Sequence, residues 1–125
     1  MHDLCDVRKL VMDLRRFEED LKRTTDLSLN EALCLCQAHQ GKDDPGTLAT
    51  ELELSPSRLS RILDSLEKRA FIVRSICADD RRTVDIQLTP EGIAMVRQLH
   101  CTEIPIPEHL EKAIESLHAS MQTGV

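Results

Sequence analysis

The stretch "SPSRLSRILDSLEKRAFIVRSICADDRRTVDIQLTPEG", residues 55–92, changes its hydrophobic period twice. In its first third, Leu59, Ile62, Leu63 and Leu66 recur at three- and four-residue spacing, the period of a helix with one buried face. Ser55 reads as the N-cap and Pro56 as the first helical residue. Ser57, Arg58, Arg61, Ser65 and Arg69 are then left on the outer face. After Phe71 the period falls to two. "FIVRSICA" and "RTVDIQLT" read as strands, with Val84, Ile86 and Leu88 alternating with polar neighbours. Asp79, Asp80, Arg81 and Arg82 form the tip between them. Thr89, Pro90 and Glu91 repeat the signature of a helix start, and Ile93, Val96 and Leu99 give that helix its inner stripe. A two-stranded hairpin is marginal by itself, so this one must lean on helices.

Upstream, Ser28 and Glu31 have the spacing of a capping box. The helix they open runs to about His39 and stops at Gly41, with Leu29, Leu33, Cys36 and Ala32 assigned to its buried face. "GKDDPG" is a turn, and Asp44 before Pro45 opens a short helix carrying Leu48, Ala49 and Leu52. Residues 3–23 read as an amphipathic helix. Its stripe of Leu4, Val7, Val11, Leu14 and Leu21, with Leu10 and Phe17, suits a partner helix. Downstream, "IPIP" (104–107) breaks the chain before a last helix, about 108–121, striped by Leu110, Ala113, Ile114, Leu117 and Met121. The order is four helices, a hairpin and two helices. The expected fold is mainly α with a small β-hairpin: a winged helix-turn-helix in a single domain, 1–125. Residues 27–100 make the lobe, and 1–26 and 101–125 are the flanking helices.

Aromatic residues are 2% of the chain, with no Trp or Tyr, so the core must be aliphatic and recognition by base stacking is not expected. The net charge of -6 argues against nucleic acid until its distribution is read. Residues 55–82 hold seven Lys/Arg (Arg58, Arg61, Lys68, Arg69, Arg74, Arg81, Arg82) and four acids, a local +3. That segment is where a polyanion would bind. No apolar run is long enough for a membrane span, and the N-terminus does not read as a signal peptide. A cytoplasmic protein with mostly reduced thiols is expected, and its five cysteines are an odd number for a disulfide framework.

"SPSRLSRILDSLEKRAFIVRS" followed by "DDRRTVDIQLTPEG" resembles the MarR family of bacterial transcription regulators. The resemblance covers roughly residues 27–100. Its most specific part is the Asp-Arg-Arg tip, the strand after it, and Leu-Thr-x-x-Gly at Leu88, Thr89 and Gly92. It implies a homodimer interlocked by the first and last helices. Each subunit would lay its recognition helix, about 56–69, in a major groove and its wing, 73–88, at a minor groove. Two departures stand out: the C-terminal part is short for the family, and position 70 is Ala where the family usually has Gly. A left-handed cap would cost Ala about 1 kcal/mol, so another helix ending is expected there.

A recognition helix reads bases with its N-terminal residues, here Ser55, Ser57, Arg58, Ser60 and Arg61. Arg can pair twice with a guanine edge, and small Ser side chains let the backbone approach phosphate. The resemblance maps the minor-groove arginine to Arg82 and its supporting acid to Asp80. Arg74 and Arg81 are expected at phosphates. The partner is then double-stranded operator DNA, with a small-molecule effector binding between the dimer helices and the lobe. A winged-helix protein-interaction module or antirepressor is the alternative. No nucleophile–base constellation, paired-acid site or phosphate-binding glycine loop stands out, so no enzyme and no cofactor are expected.

"LCLCQAH" places Cys36 and His39 on one helical face, but Cys34 lies about 200° from Cys36. Buried thiols are expected there, and no metal. Cys5 sits near the start of the first helix, where the helix dipole favours a thiolate. Its spacing to "DLSLNEA" resembles the peroxide-sensing branch of the family, though that branch's tyrosines are missing. Cys101 would come close to Cys5 in a dimer. Two readings stay open for Cys5 and Cys101: helix-packing thiols, or a redox sensor.

Overall fold

The computed structural model describes residues 3–76, 84–101 and 104–123. The chain runs α1 (Leu4–Thr25), α2 (Leu29–His39), α3 (Pro45–Leu52), α4 (Pro56–Lys68), β1 (Ile72–Ile76), β2 (Val84–Leu88), α5 (Pro90–Cys101) and α6 (Glu108–Thr123). These are the helices and the hairpin that the periodicity predicts, in the predicted order. They group into two compact units, one holding α1 and α6 and the other running from Leu27 through α5. No helix among the described residues is long and apolar enough to cross a membrane.

In the unit of α1 and α6, Asp3 caps α1, accepting from the Asp6 N–H at 3.0 Å. α6 starts after Pro107, and its cap comes from the other helix. Oδ2 of Asp13, a residue only 4% exposed, accepts from the His109 N–H at 2.9 Å and the Leu110 N–H at 3.3 Å. A carboxylate on two free N–H groups at a helix N-terminus is matched both to the donors and to the helix dipole. Leu4, Val7, Leu10, Val11 and Leu14 on α1, and Leu117 and Met121 on α6, remain exposed.

The second unit has the aliphatic core that its composition requires. Leu27, Leu35, Leu48, Leu59, Leu63, Leu66, Ile72, Ile86 and Val96 are buried in it. One assignment needs correcting. Of the predicted face of Leu29, Leu33, Cys36 and Ala32, α2 buries Ala32, leaves Leu29 and Cys36 half-buried and exposes Leu33, while Cys34 and Leu35 turn inward. Residues 33–36 are all apolar, so the pattern there carries no phase, and neighbours decide which residues turn inward.

The hairpin is antiparallel, with Arg74 opposite Ile86 and Ile72 opposite Leu88. It is fastened to the helices from both sides. The Ile86 N–H donates to the Asp43 carbonyl, before α3, at 2.8 Å. The Thr89 N–H donates to the Phe71 carbonyl at 3.0 Å, and the Thr89 hydroxyl to the Ala70 carbonyl at 2.5 Å. Thr89 also caps α5 as predicted, accepting from the Gly92 N–H at 3.0 Å. Gly92 is there because nothing else fits. A Cβ on it would lie 2.1 Å from the Phe71 carbonyl oxygen. The Leu-Thr-x-x-Gly motif is therefore a joint between the hairpin, the end of α4 and the start of α5.

The end of α4 brings a second correction. Ala70 does take the left-handed conformation, with φ 63°. The Phe71 N–H reaches the Leu66 carbonyl at 3.0 Å and the Ala70 N–H reaches the Glu67 carbonyl at 3.0 Å. This is a Schellman ending with Ala in the glycine position. These two bonds, with the two from Thr89, hold Ala in a conformation it disfavours.

Candidate nucleic-acid interface

The helix-turn-helix is α3, a turn and α4. The turn is closed by the Leu54 N–H on the Ala49 carbonyl at 2.9 Å, with Glu53 left-handed at φ 53°. Ser55 then caps α4, its hydroxyl accepting from the Arg58 N–H at 3.2 Å and lying 3.3 Å from the Ser57 hydroxyl. Ser55, Ser57, Arg58, Ser60 and Arg61 are all exposed at this end of the helix. Neither Arg58 nor Arg61 forms an ion pair with another described residue. Two guanidinium groups with no acidic partner among the described residues, beside the positive end of a helix dipole, form a surface suited to anions.

The other arginines of this face are held differently. Arg74, on β1, turns back onto α4. Its guanidinium donates to Asp64 Oδ1 at 2.6 Å and to Glu67 Oε1 at 2.9 Å, and its backbone N–H donates to Glu67 Oε2 at 3.2 Å. Hydrogen bonding from Arg74 holds the Glu67 carboxyl below its usual range, and Glu67 and Asp64 push the Arg74 guanidinium further up. Arg74, expected at a phosphate, is placed here against two acids of α4. Two acids one helical turn apart hold its Nε and Nη2, which makes it a fastening between hairpin and α4. Ser65 and Arg69, placed on the outer face by the sequence, both turn to Glu31. Ser65 donates to Glu31 Oε2 at 2.8 Å, and Arg69 lies 3.6 Å from the same oxygen and 5.2 Å from the centre of the Phe71 ring. Burial alone would raise the Glu31 carboxyl. Bonds from the Ser28 N–H, the Ser65 and Ser28 hydroxyls and the Arg69 charge outweigh it and hold the group below the usual carboxylate range.

The wing tip, with Asp80, Arg81, Arg82 and Cys77, lies outside the described residues. So does the Cys101 side chain, so its pairing with Cys5 is likewise not described. Cys5 is exposed on α1. Cys34 is 1% exposed, and burial, then the charge of Glu31, pushes its thiol up to about 11. Burial also pushes the Cys36 thiol up. These are packing thiols. Among the described residues, no cluster of three or more His, Cys, Asp and Glu is placed to hold a metal. Local patterning overlooked the Glu67–Arg74 and Glu31–Ser65 bonds, because each joins residues from different elements. The one available signal was the pair of acids, Asp64 and Glu67, on an otherwise basic helix face.

Residues 27–84 match the MarR family. The HTH-type transcriptional regulator YhbI of Bacillus subtilis is 36% identical over 74 residues, 58% of this chain and 48% of that protein. The HTH-type transcriptional regulator PapX of Escherichia coli is 34% identical over 73 residues, 58% of this chain and 40% of that protein. The chain therefore spans half or less of the length of these curated relatives. Among solved structures, a mutant MarR from E. coli superposes with a TM-score of 0.68 at 25% identity, covering 80% of this chain and 75% of that one. Wild-type apo MarR from E. coli superposes with a TM-score of 0.73 at 21% identity over 97% of both chains. A mutant MarR complexed with operator DNA gives 0.69 at 20% identity over 91% of both.

Proposed function

We propose that this chain, whose residues 27–84 match the MarR family, is a sequence-specific DNA-binding transcription regulator acting as a homodimer. The observation that carries the reading is the N-terminal face of α4, where Arg58 and Arg61 stand exposed without a described acidic partner, beside three exposed serines. That E. coli MarR, a protein of this fold, is found with operator DNA lends support.

In this reading α4 enters a major groove. Arg58 and Arg61 pair with guanine edges, and Ser55, Ser57, Ser60 and the first-turn N–H groups meet phosphates. Arg82 enters the adjacent minor groove with Asp80 orienting it, and Arg81 contacts phosphate. Arg74 fixes the wing's base on α4, so the two readers keep a set separation. The exposed apolar faces of α1 and α6 pair with a second copy, and the two α4 helices of the dimer read half-sites separated by about 34 Å, one turn of DNA. The protein works in the cytoplasm, as a repressor. A small-molecule effector or thiol oxidation involving Cys5 and Cys101 releases it by changing that separation.

The test is a gel shift on the intergenic DNA beside its own gene, titrated with salt. Binding tighter than to mixed-sequence DNA is expected, with log K falling linearly in log salt. Arg82→Ala and Arg58→Ala are each expected to weaken it more than tenfold while leaving the thermal midpoint nearly unchanged. Equal affinity for both DNAs overturns the reading and favours a protein-interaction module.

A further inference from the structure

Glu31 has more bonds than its place in the chain requires. A capping box uses one carboxylate oxygen, and here Oε1 fills that need, accepting from the Ser28 N–H at 2.9 Å. The other oxygen reaches across to α4. Oε2 accepts from the Ser65 hydroxyl at 2.8 Å and lies 3.6 Å from the Arg69 guanidinium. Ser65 and Arg69 are one turn apart, so both belong to the same stripe at the C-terminal end of α4. The Glu31 side chain is only 11% exposed, so water competes little for these bonds.

The geometry points to Glu31 as a positioning residue for sequence readout: it fixes the tilt and roll of α4 from the end opposite to Arg58 and Arg61. The inference rests on the DNA-binding reading above and assigns the residue that sets its precision. Arg58 lies seven residues from Ser65, about 10 Å along the helix axis. A tilt of about 10° at Ser65 would move Arg58 by roughly 2 Å, more than a two-bond contact with a guanine edge tolerates. Phosphate contacts tolerate such a shift far better, because a charge attracts without strict geometry. Loss of Glu31's second oxygen should therefore damage discrimination between sequences and spare general DNA affinity.

The experiment measures fluorescence anisotropy of the full chain on the intergenic fragment and on a mixed-sequence duplex of equal length. Glu31→Gln keeps an oxygen for the Ser28 N–H, so the cap survives, but it puts an amide where Ser65 and Arg69 need an acceptor. The expected result is a roughly tenfold fall in the ratio of the two affinities, with mixed-sequence affinity and salt slope unchanged. Ser65→Ala should lower the same ratio, and adding it to Glu31→Gln should lower it no further. A lower urea midpoint for Glu31→Gln with an unchanged ratio overturns the inference, because packing alone would do that. If the parent chain prefers neither DNA, the DNA-binding reading falls and this inference with it. If the parent discriminates and Glu31→Gln discriminates equally well, only this inference falls.

Discussion

The carboxylate of Glu67 accepts from both the backbone N–H and the guanidinium of Arg74, at 3.2 Å and 2.9 Å. A strand residue is thereby held to α4 by main chain and side chain at once. The pair fixes where the hairpin leaves the lobe. Arg74→Ala should weaken binding to the intergenic fragment several-fold by loosening the wing. If Arg74 acts only as this fastening, the slope of log K against log salt should stay at the parent's value. A slope smaller by about 0.9 would return Arg74 to the phosphate contacts.

Gly92→Ala should be among the most damaging single-methyl changes in the chain. The added Cβ would meet the Phe71 carbonyl oxygen at 2.1 Å, and that oxygen is already held by the Thr89 N–H. Backbone must move, at a cost of about 3 kcal/mol. Urea unfolding measures it, and a midpoint equal to the parent's would show that the joint is looser than described.

Ala70→Gly should act in the opposite direction. It removes the left-handed penalty at φ 63° and adds flexibility to the unfolded chain. The balance favours the variant by roughly 0.5–1 kcal/mol, a rise of a few degrees in the thermal midpoint. A fall in the midpoint would mean that the Ala70 methyl makes packing contacts worth more than the strain.

These two residues also show how far local pattern carries. α4, the hairpin and α5 were readable because each boundary has a local chemical cause: Ser55 before Pro56, Thr89 before Pro90, and the switch to period two after Phe71. Ala70 was misread because part of what holds its conformation comes from elsewhere, from Thr89, nineteen residues on. The face of α2 was misread because four consecutive apolar residues carry no phase. Arg58 and Arg61 were legible as exposed because exposure follows the helical period. The orientation of Arg74 was not, since its acidic partners sit on another element.

The thiols should separate by reactivity. Iodoacetamide at pH 8, followed by peptide mass spectrometry, should modify exposed Cys5 and leave Cys34 intact until denaturant is added. The same burial gives an alkaline limit to stability. The folded-state value of Cys34 is raised to about 11, above that of an unfolded thiol. Its contribution is therefore complete below about pH 8.5, declines as unfolded thiols ionise, and is gone above the folded value. Urea midpoints should fall between about pH 9 and 11, and Cys34→Ser should flatten that part of the curve. An equal fall in the variant would assign it to other groups.

The bond from Asp13 to the start of α6 spans ninety-six positions. The lobe that follows α1 is closed by far nearer partners, so its contacts can form while the chain is still being made. α1 and α6 can be joined only after residues 109 and 110 have been synthesised. Until then α1 lacks α6 as well as a second copy, and the surface proposed for that copy, exposed even in the finished chain, is one on which a half-made chain can aggregate.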